Sequence, residues 1–109
     1  PFPAMWQLVE AQHGRLPMAI GTGSLRSNAE TILEQSGLGQ FIHTVVAADD
    51  VEQHKPNPDT FLLAAQRLGV APGKCLVFED TEIGRQAAHA AGMRCVMVRE
   101  GQPDWTSLG

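Results

Sequence analysis

The 109-residue sequence lacks features that several classes of protein require. No apolar run approaches the roughly 18 residues of a membrane helix, and no signal-peptide pattern opens the chain. Eight lysines and arginines face twelve acidic residues, a net charge of −4, so we expect neither a nucleic-acid nor a membrane surface. Only two cysteines occur, Cys75 and Cys95, and they form no C-x-x-C motif. We therefore expect two reduced thiols in a cytoplasmic protein.

What the sequence does contain is a series of short, continuous apolar runs. Each is too short for a helix and does not alternate with polar residues, a pattern typical of strands that are covered on both faces of a parallel sheet. At this length the chain is expected to form one domain with one core. The runs are Met18–Ile20, Val45–Ala48, Cys75–Phe78 and Cys95–Val98.

Segments with helical spacing of apolar residues lie before and between these runs. The predicted C-terminal signals of the four segments are Gly14, Gly37, Gly69 and Gly92. The predicted N-terminal signals are a capping box from Ser27 to Glu30, Asn57 followed by Pro58, and Asp80 or Thr81. The order helix-β-α-β-α-β-α-β predicts an α/β fold, a three-layer Rossmann-like parallel sheet with right-handed crossovers.

Polar residues follow the apolar runs, at the edge of an open α/β sheet where ligands bind. Two hydroxyls, one lysine and a carboxylate pair are suited to holding a phosphate beside a divalent cation. A dinucleotide site is disfavoured, because Arg26 occupies the position of the third glycine in that fingerprint. The residues concerned are Thr22, Ser24, Lys55, Glu79 and Asp80.

Each of these residues also has a purely structural interpretation. Thr22 and Ser24 are typical turn and N-cap residues, and most lysines are solvated at the surface. Lys55, however, is one of only two lysines and directly precedes Pro56, which restricts its backbone to extended conformations. The pair of Glu79 and Asp80 could equally belong to the start of the following helix.

Three segments together resemble the haloacid dehalogenase (HAD) superfamily. They are Met18–Ser24, His54–Asp59 and Val77–Gly84, each at the end of a predicted strand and in the order typical of that family. The resemblance runs from about residue 3 to residue 98 and is greatest to the β-phosphoglucomutases and small sugar-phosphate phosphatases.

The resemblance implies a role for each matching residue. Thr22, Lys55 and Asp80 correspond to catalytic residues, and Gly23 and Ser24 lie near the phosphate together with Thr22 and Lys55. Glu79 and Asp80 correspond to the acids that hold Mg²⁺, Asp80 directly and Glu79 through water. The implied activity is Mg²⁺-dependent hydrolysis of a small sugar phosphate through an aspartyl-phosphate, by positioning and electrostatic stabilisation.

One departure from the family pattern concerns the nucleophile. HAD enzymes attack with the first aspartate of a D-x-D-x-T motif, whereas the five aspartates of this chain include no pair spaced i, i+2. We expect residues 1–109 to be a partial core domain that lacks the first, central strand and the helical cap. Residues 1–14 would then be the helix that returns from the cap, and residues 15–109 the β-α-β-α-β-α-β unit.

Two consequences of this expectation are testable. The chain alone should be inactive as a phosphatase, and its unpaired strand edges should favour self-association. Three alternatives to a phosphatase remain open: a β-phosphoglucomutase-type phosphotransferase, a non-catalytic binding or assembly fragment, and a receiver-like domain. The last is disfavoured because the acidic pair comes late in the chain.

Overall fold

The computed structural model describes residues 3–109, so Pro1 and Phe2, with which the predicted N-terminal segment begins, lie outside the described residues. Within residues 3–109, four helices and five strands follow one another, with short 3₁₀ turns between them. The predicted alternation of helices and strands is confirmed as far as Arg99. The elements are α1 (Pro3–Gln12), β1 (Ala19–Gly21), α2 (Arg26–Ser36), β2 (Thr44–Val46), α3 (Asp59–Leu68), β3 (Leu76–Glu79), α4 (Glu82–Ala90), β4 (Arg94–Arg99) and β5 (Gln102–Asp104).

The strands form two separate sheets. In the first, β1 pairs in parallel with β2, with Ile20 opposite Val45. In the second, β3 pairs in parallel with β4, with Phe78 opposite Val96. Within the described residues β1 and β3 are not hydrogen-bonded to each other, and each is an edge strand. The α/β class with parallel pairing is as predicted, and the break between the two sheets separates β1 and β2 from β3, β4 and β5.

Strand β5 was not predicted. It pairs with β4 in antiparallel fashion, with Arg99 opposite Gln102. Glu100 and Gly101 both have positive φ (53° and 77°), the signature of a two-residue hairpin turn. The strand was missed because it contains no apolar run and includes Pro103, a residue that sheets tolerate at an edge.

The C-terminal ends of the helices follow the sequence prediction. Gly37, Gly69 and Gly92 have φ values of 77°, 70° and 79°, the left-handed conformation that glycine adopts without a steric penalty. Thr81 caps α4 as one of the two predicted candidates, since its Oγ1 accepts a hydrogen bond from the Gly84 amide at 3.1 Å.

Two predicted N-terminal caps are wrong. Helix α2 begins at Arg26, so Ser27 is already helical, and the cap comes from another segment: Asp49 Oδ1 accepts from the Arg26 amide at 3.0 Å. Helix α3 begins at Asp59, and Asn57 instead donates its side-chain N–H to the His54 carbonyl at 3.0 Å. At α2 a hydrogen bond to a distant residue takes the place of the predicted cap, and before α3 the side chain of Asn57 bonds within its own loop.

The core lies between α3, α4 and the β3–β4 sheet. Alanines on α4 let the helix approach the strands closely, and larger side chains fill the remaining space. Cys95 is buried and Cys75 is half-buried; both are free thiols whose pKa is raised by burial. None of the described helices is long and apolar enough to cross a bilayer. The core consists of Phe61, Ala65, Val77, Ala87, Ala88, Ala91, Met93, Cys95 and Met97.

Candidate active site

Thr22 lies directly after β1 and continues its pairing with β2. Its amide donates to the Val46 carbonyl at 2.8 Å, which carries the parallel ladder one residue beyond the strand. Its Oγ1 accepts a hydrogen bond from the Ser24 amide at 3.1 Å, so the loop turns around this hydroxyl. The hydroxyl keeps its own proton to donate, and the neighbouring Gly23 and Ser24 are exposed to solvent.

Lys55 lies in the loop before α3, and its side chain points to β3. Its Nζ donates to Glu79 Oε2 at 3.0 Å and lies 4.8 Å from the centre of the Phe61 ring. The lysine side chain is only 17% exposed. The cis peptide bond between Lys55 and Pro56 is a feature that the sequence analysis did not anticipate. Lys55 is therefore a half-buried cation with a defined partner, and the solvated-lysine interpretation is wrong.

Glu79 is the last residue of β3, and both oxygens of its carboxylate accept hydrogen bonds from other groups of the protein. Its Oε1 accepts hydrogen bonds from the amides of Asp80 and Thr81 at 3.1 and 3.2 Å and from Thr81 Oγ1 at 3.0 Å. Burial acts to raise the pKa of Glu79, but the hydrogen bond and charge of Lys55, with the hydrogen bonds from Asp80 and Thr81, hold it below its usual value. Glu79 is thus a buried anion that is paired at neutral pH.

Gly84, in the first turn of α4, makes this position of Glu79 possible. A Cβ placed on Gly84 would lie 1.9 Å from Cδ of Glu79, far inside any van der Waals contact. The carboxyl group of Glu79 therefore lies directly against the helix backbone, in space that only glycine leaves open.

Asp80 follows Glu79 and is exposed. Its exposed carboxylate fits a hard divalent cation as a ligand, whereas both oxygens of Glu79 already accept hydrogen bonds. Among the described residues, no group of three or more His, Cys, Asp or Glu side chains could hold a metal. A magnesium ion at these two acids would require further oxygen ligands, since Mg²⁺ demands octahedral coordination.

The Thr22 loop and the Lys55–Glu79 pair are joined through α3. A Cβ on Gly21 would lie 2.8 Å from Thr60 Cγ2 and 3.5 Å from the Phe61 ring, and that ring also contacts the Lys55 ammonium. The structure thus brings Lys55 and Glu79 into contact. Gly21, the residue before Thr22, lies next to the same aromatic ring that contacts Lys55. The sequence had predicted one common edge for these residues.

Sequence reasoning missed Asp50 and its partners, Arg26 and Arg67. Hydrogen bonds from the Ala47 amide and from Arg26, with the charges of Arg26 and Arg67, hold the pKa of Asp50 below its usual value. Arg26 had been noted only as a misfit in a dinucleotide fingerprint; its guanidinium instead extends to Asp50 and to the Val45 carbonyl. The signal that could have found Asp50 was its place in the acidic pair, Asp49 and Asp50, that follows the apolar run Val45–Ala48.

These groups together form a recognisable chemical set. A half-buried cation, a hydroxyl donor and an exposed carboxylate all lie in segments that follow parallel strands, and they are the groups with which proteins hold a phosphoryl group and its metal ion. Residues 1–98, the range that contains these groups, match a family profile described as haloacid dehalogenase-like hydrolase. The chain belongs to the haloacid dehalogenase-like hydrolase family.

Relatives within the HAD family include enzymes that act on sugar phosphates. Fructose-1-phosphate phosphatase YqaB of Escherichia coli (strain K12) is 56% identical over 99 residues, 91% of this chain and 52% of the relative. Beta-phosphoglucomutase of Bacillus subtilis (strain 168) is 40% identical over 84 residues, 77% of this chain and 37% of the relative. The family resemblance seen in the sequence is confirmed.

The fold is also similar to that of solved structures. The crystal structure of CbbY from Rhodobacter sphaeroides in complex with phosphate has a TM-score of 0.81 and 28% identity to this chain. The match covers 92% of this chain and 47% of CbbY. The chain therefore spans about half the length, or less, of these relatives.

Proposed function

We propose that the protein is a Mg²⁺-dependent phosphatase of the HAD family that acts on a small sugar phosphate. The observation that carries this proposal is the half-buried Lys55 ammonium, held by the buried Glu79 carboxylate at 3.0 Å. A lysine placed in this way provides a positive charge at a constant position, and phosphoryl transfer depends mainly on positioned charge and hydrogen-bond donors.

The proposed roles follow from what each group can donate or accept. The Thr22 hydroxyl donates to a phosphoryl oxygen, Gly23 and Ser24 lie close to the phosphate, and Lys55 offsets its negative charge. Asp80 would hold Mg²⁺ directly and Glu79 through water, and the ion when bound would neutralise charge on the phosphoryl oxygens.

The nucleophile would be an aspartate outside the 109 residues, because no D-x-D-x-T motif occurs in this sequence. One of its carboxylate oxygens would form a bond to phosphorus while the bond from phosphorus to the sugar oxygen breaks. The second aspartate of the motif, as a protonated carboxylic acid, would give its proton to that oxygen, and as a carboxylate would then take a proton from the water that hydrolyses the aspartyl-phosphate to inorganic phosphate. In this proposal residues 1–109 are a partial core domain, and the first strand and the cap lie elsewhere.

A phosphotransferase of the phosphoglucomutase type is the second candidate, supported by the identity to beta-phosphoglucomutase. The sequence Gly21-Thr22-Gly23-Ser24 and the higher identity to a fructose-1-phosphate phosphatase favour hydrolysis. Two further expectations stay predictions: a cytoplasmic location, and self-association of the chain through the edges of β1 and β3. A non-catalytic assembly fragment is the third candidate.

A phosphate-release assay separates these candidates. The chain is joined to an N-terminal segment that carries D-x-D-x-T and a cap, and is incubated with Mg²⁺ and a panel of sugar phosphates that includes fructose 1-phosphate. Steady release of phosphate, lost on adding EDTA and restored by Mg²⁺, is expected. Conversion between isomeric sugar phosphates without release would support the mutase.

The chain of 109 residues is the matched control in this assay, because we expect it to release no phosphate. Sustained turnover by a contaminant-free preparation of this chain would refute the assignment of the nucleophile to another segment. A folded extended protein with no activity on any sugar phosphate would favour the assembly fragment, and its size in solution would then be the next measurement.

A further inference from the structure

Asp50 lies just beyond β2, outside the group of residues assigned to phosphate and metal. Its side chain is 15% exposed, and its Oδ2 accepts a hydrogen bond from the Ala47 amide at 2.9 Å. The same oxygen is hydrogen-bonded to the guanidinium of Arg26 and lies 3.5 Å from Nη1 of Arg67. One carboxylate thus joins the first residue of α2, the end of β2 and the last turn of α3.

The two arginines converge a second time, on the backbone of β2. Nη2 of Arg26 and Nη1 of Arg67 donate to the carbonyl oxygen of Val45 at 2.8 and 2.9 Å. The negative charge of Asp50 offsets the repulsion between these two cations, which lie at the same carbonyl oxygen. We call Asp50, Arg26 and Arg67 the β2 clamp.

The segment held by the β2 clamp is hydrogen-bonded to both proposed phosphate-binding loops. The Ala48 amide donates to the Ser24 carbonyl at 2.9 Å, which ties it to the Thr22 loop. The Ala48 carbonyl lies 2.8 Å from Nε2 of His54, the residue before Lys55. A single residue, Ala48, therefore links the loop of the hydroxyls with the loop of the lysine.

We propose that Asp50 is a positioning residue, which through Arg26 and Arg67 holds the Thr22 and Lys55 loops at the separation that phosphate binding requires. Asp50 itself contacts neither substrate nor metal. The inference rests on the proposed function, because it assumes that Thr22 and Lys55 bind one phosphoryl group. Asp50 would thus affect phosphate affinity although it touches no phosphate. Without it the Thr22 and Lys55 loops would shift, and the shift would weaken phosphate binding without removing any binding group.

The test compares Asp50→Asn with a matched control, Asp104→Asn, in the chain of 109 residues. Asp104 is also paired with an arginine, since its Oδ2 accepts from Arg99 Nε at 2.9 Å, but it lies in β5. Affinity for inorganic phosphate is measured by calorimetric titration. Asp50→Asn is expected to lower it by about tenfold, as for other groups that orient binding residues; Asp104→Asn should leave it unchanged.

Amide hydrogen exchange supplies a readout that a general loss of stability would not reproduce. In Asp50→Asn we expect faster exchange at Ala48 and Thr22, with unchanged exchange in the β3–β4 ladder. Equal acceleration at all amides, or a phosphate affinity equal to that of the Asp104→Asn control, would overturn the proposal. If Asp50→Asn does not fold, Arg67→Gln removes one half of the clamp and should change both readouts in the same direction, less strongly.

Failure of the proposed function has a different signature. A wild-type chain that binds no phosphate, or a Lys55→Ala variant that binds it as tightly as wild type, would refute the assignment of the phosphate site. The exchange comparison would still decide whether Asp50 holds the two loops together, because it needs no ligand.

Discussion

The two sheets of the molecule are stabilised in different ways. Around β3 and β4 the structure is a packed apolar core of alanines, methionines, valine and cysteine beneath α3 and α4. Around β1 and β2, few side chains are fully buried, and the loops are held by the ion pairs and backbone hydrogen bonds of the β2 clamp. The comparison teaches that apolar packing holds the β3–β4 sheet, while polar contacts hold the loops that follow β1 and β2, where the proposed phosphate-binding residues lie.

The pair of Lys55 and Glu79 is where the two regions meet. Glu79 belongs to the packed sheet, whereas Lys55 lies in the loop that leads from the β2 side into α3. The four predictions below test this division, beginning with the change expected to cost most.

Truncating the core of the packed region should have the largest effect on stability. Met97→Ala removes a buried side chain and is expected to lower the free energy of unfolding by about 2–5 kcal/mol, because a cavity adds to the lost apolar burial. Urea unfolding followed by circular dichroism measures the change. The matched control, Leu62→Ala, removes a side chain that is 41% exposed and should cost less than about 1 kcal/mol; equal costs would contradict the division.

Removing the link between the regions should affect activity more than folding. In the extended, active protein, Lys55→Ala is expected to lower the rate on the order of 10²–10³-fold, by analogy with the loss of one preorganised stabilising group. Steady-state kinetics at saturating Mg²⁺ measure it. Lys74→Ala is the control, since Lys74 is an exposed lysine in the turn before β3; an unchanged rate in Lys55→Ala would exclude it from the site.

A methyl group on Gly84 should displace Glu79 from its position. Because the added Cβ would overlap the carboxyl group of Glu79, Gly84→Ala is expected to cost about 1–3 kcal/mol in stability through overpacking and to weaken the Lys55–Glu79 contact. Thermal unfolding and the activity assay measure the two effects. Gly73→Ala is the matched control, since no atom lies within 4 Å of the Cβ position there; a Gly84 variant that behaves like it would contradict the close packing.

The smallest expected effect is the pH dependence contributed by the β2 clamp. The pKa of Asp50 is lowered in the folded state, so the stability it contributes is present above the ordinary aspartate value, near pH 4, and is lost as the pH falls through the folded value. The difference in free energy of unfolding between wild type and Asp50→Asn should therefore be largest at neutral pH and shrink toward pH 2. A difference that stays constant between pH 7 and pH 2 would show that the charge of Asp50 does not contribute.

The sequence predicted the local features of the fold well. The apolar runs predicted the first four strands, and Gly37 and Gly69 ended their helices as expected, because continuous apolar runs and left-handed glycine turns depend on neighbouring residues only. The prediction of the α2 cap failed, and β5 was missed, because another segment supplied the hydrogen bonds at both places. Asp49, not Ser27, caps α2, and β5 forms by pairing with β4 although its own residues carry no strand pattern.

The candidate site divides in the same way. The sequence by itself determined the alternating α/β order, the ends of the helices, and the resemblance that singled out Thr22, Lys55, Glu79 and Asp80. Only the tertiary structure decided that Lys55 pairs with Glu79, 24 positions away in the chain. It also decided that Asp50 forms ion pairs with two arginines from different helices. The physical reason is that backbone propensities act over a few residues, whereas the partner of a buried charge is determined by which segments the packed core brings together.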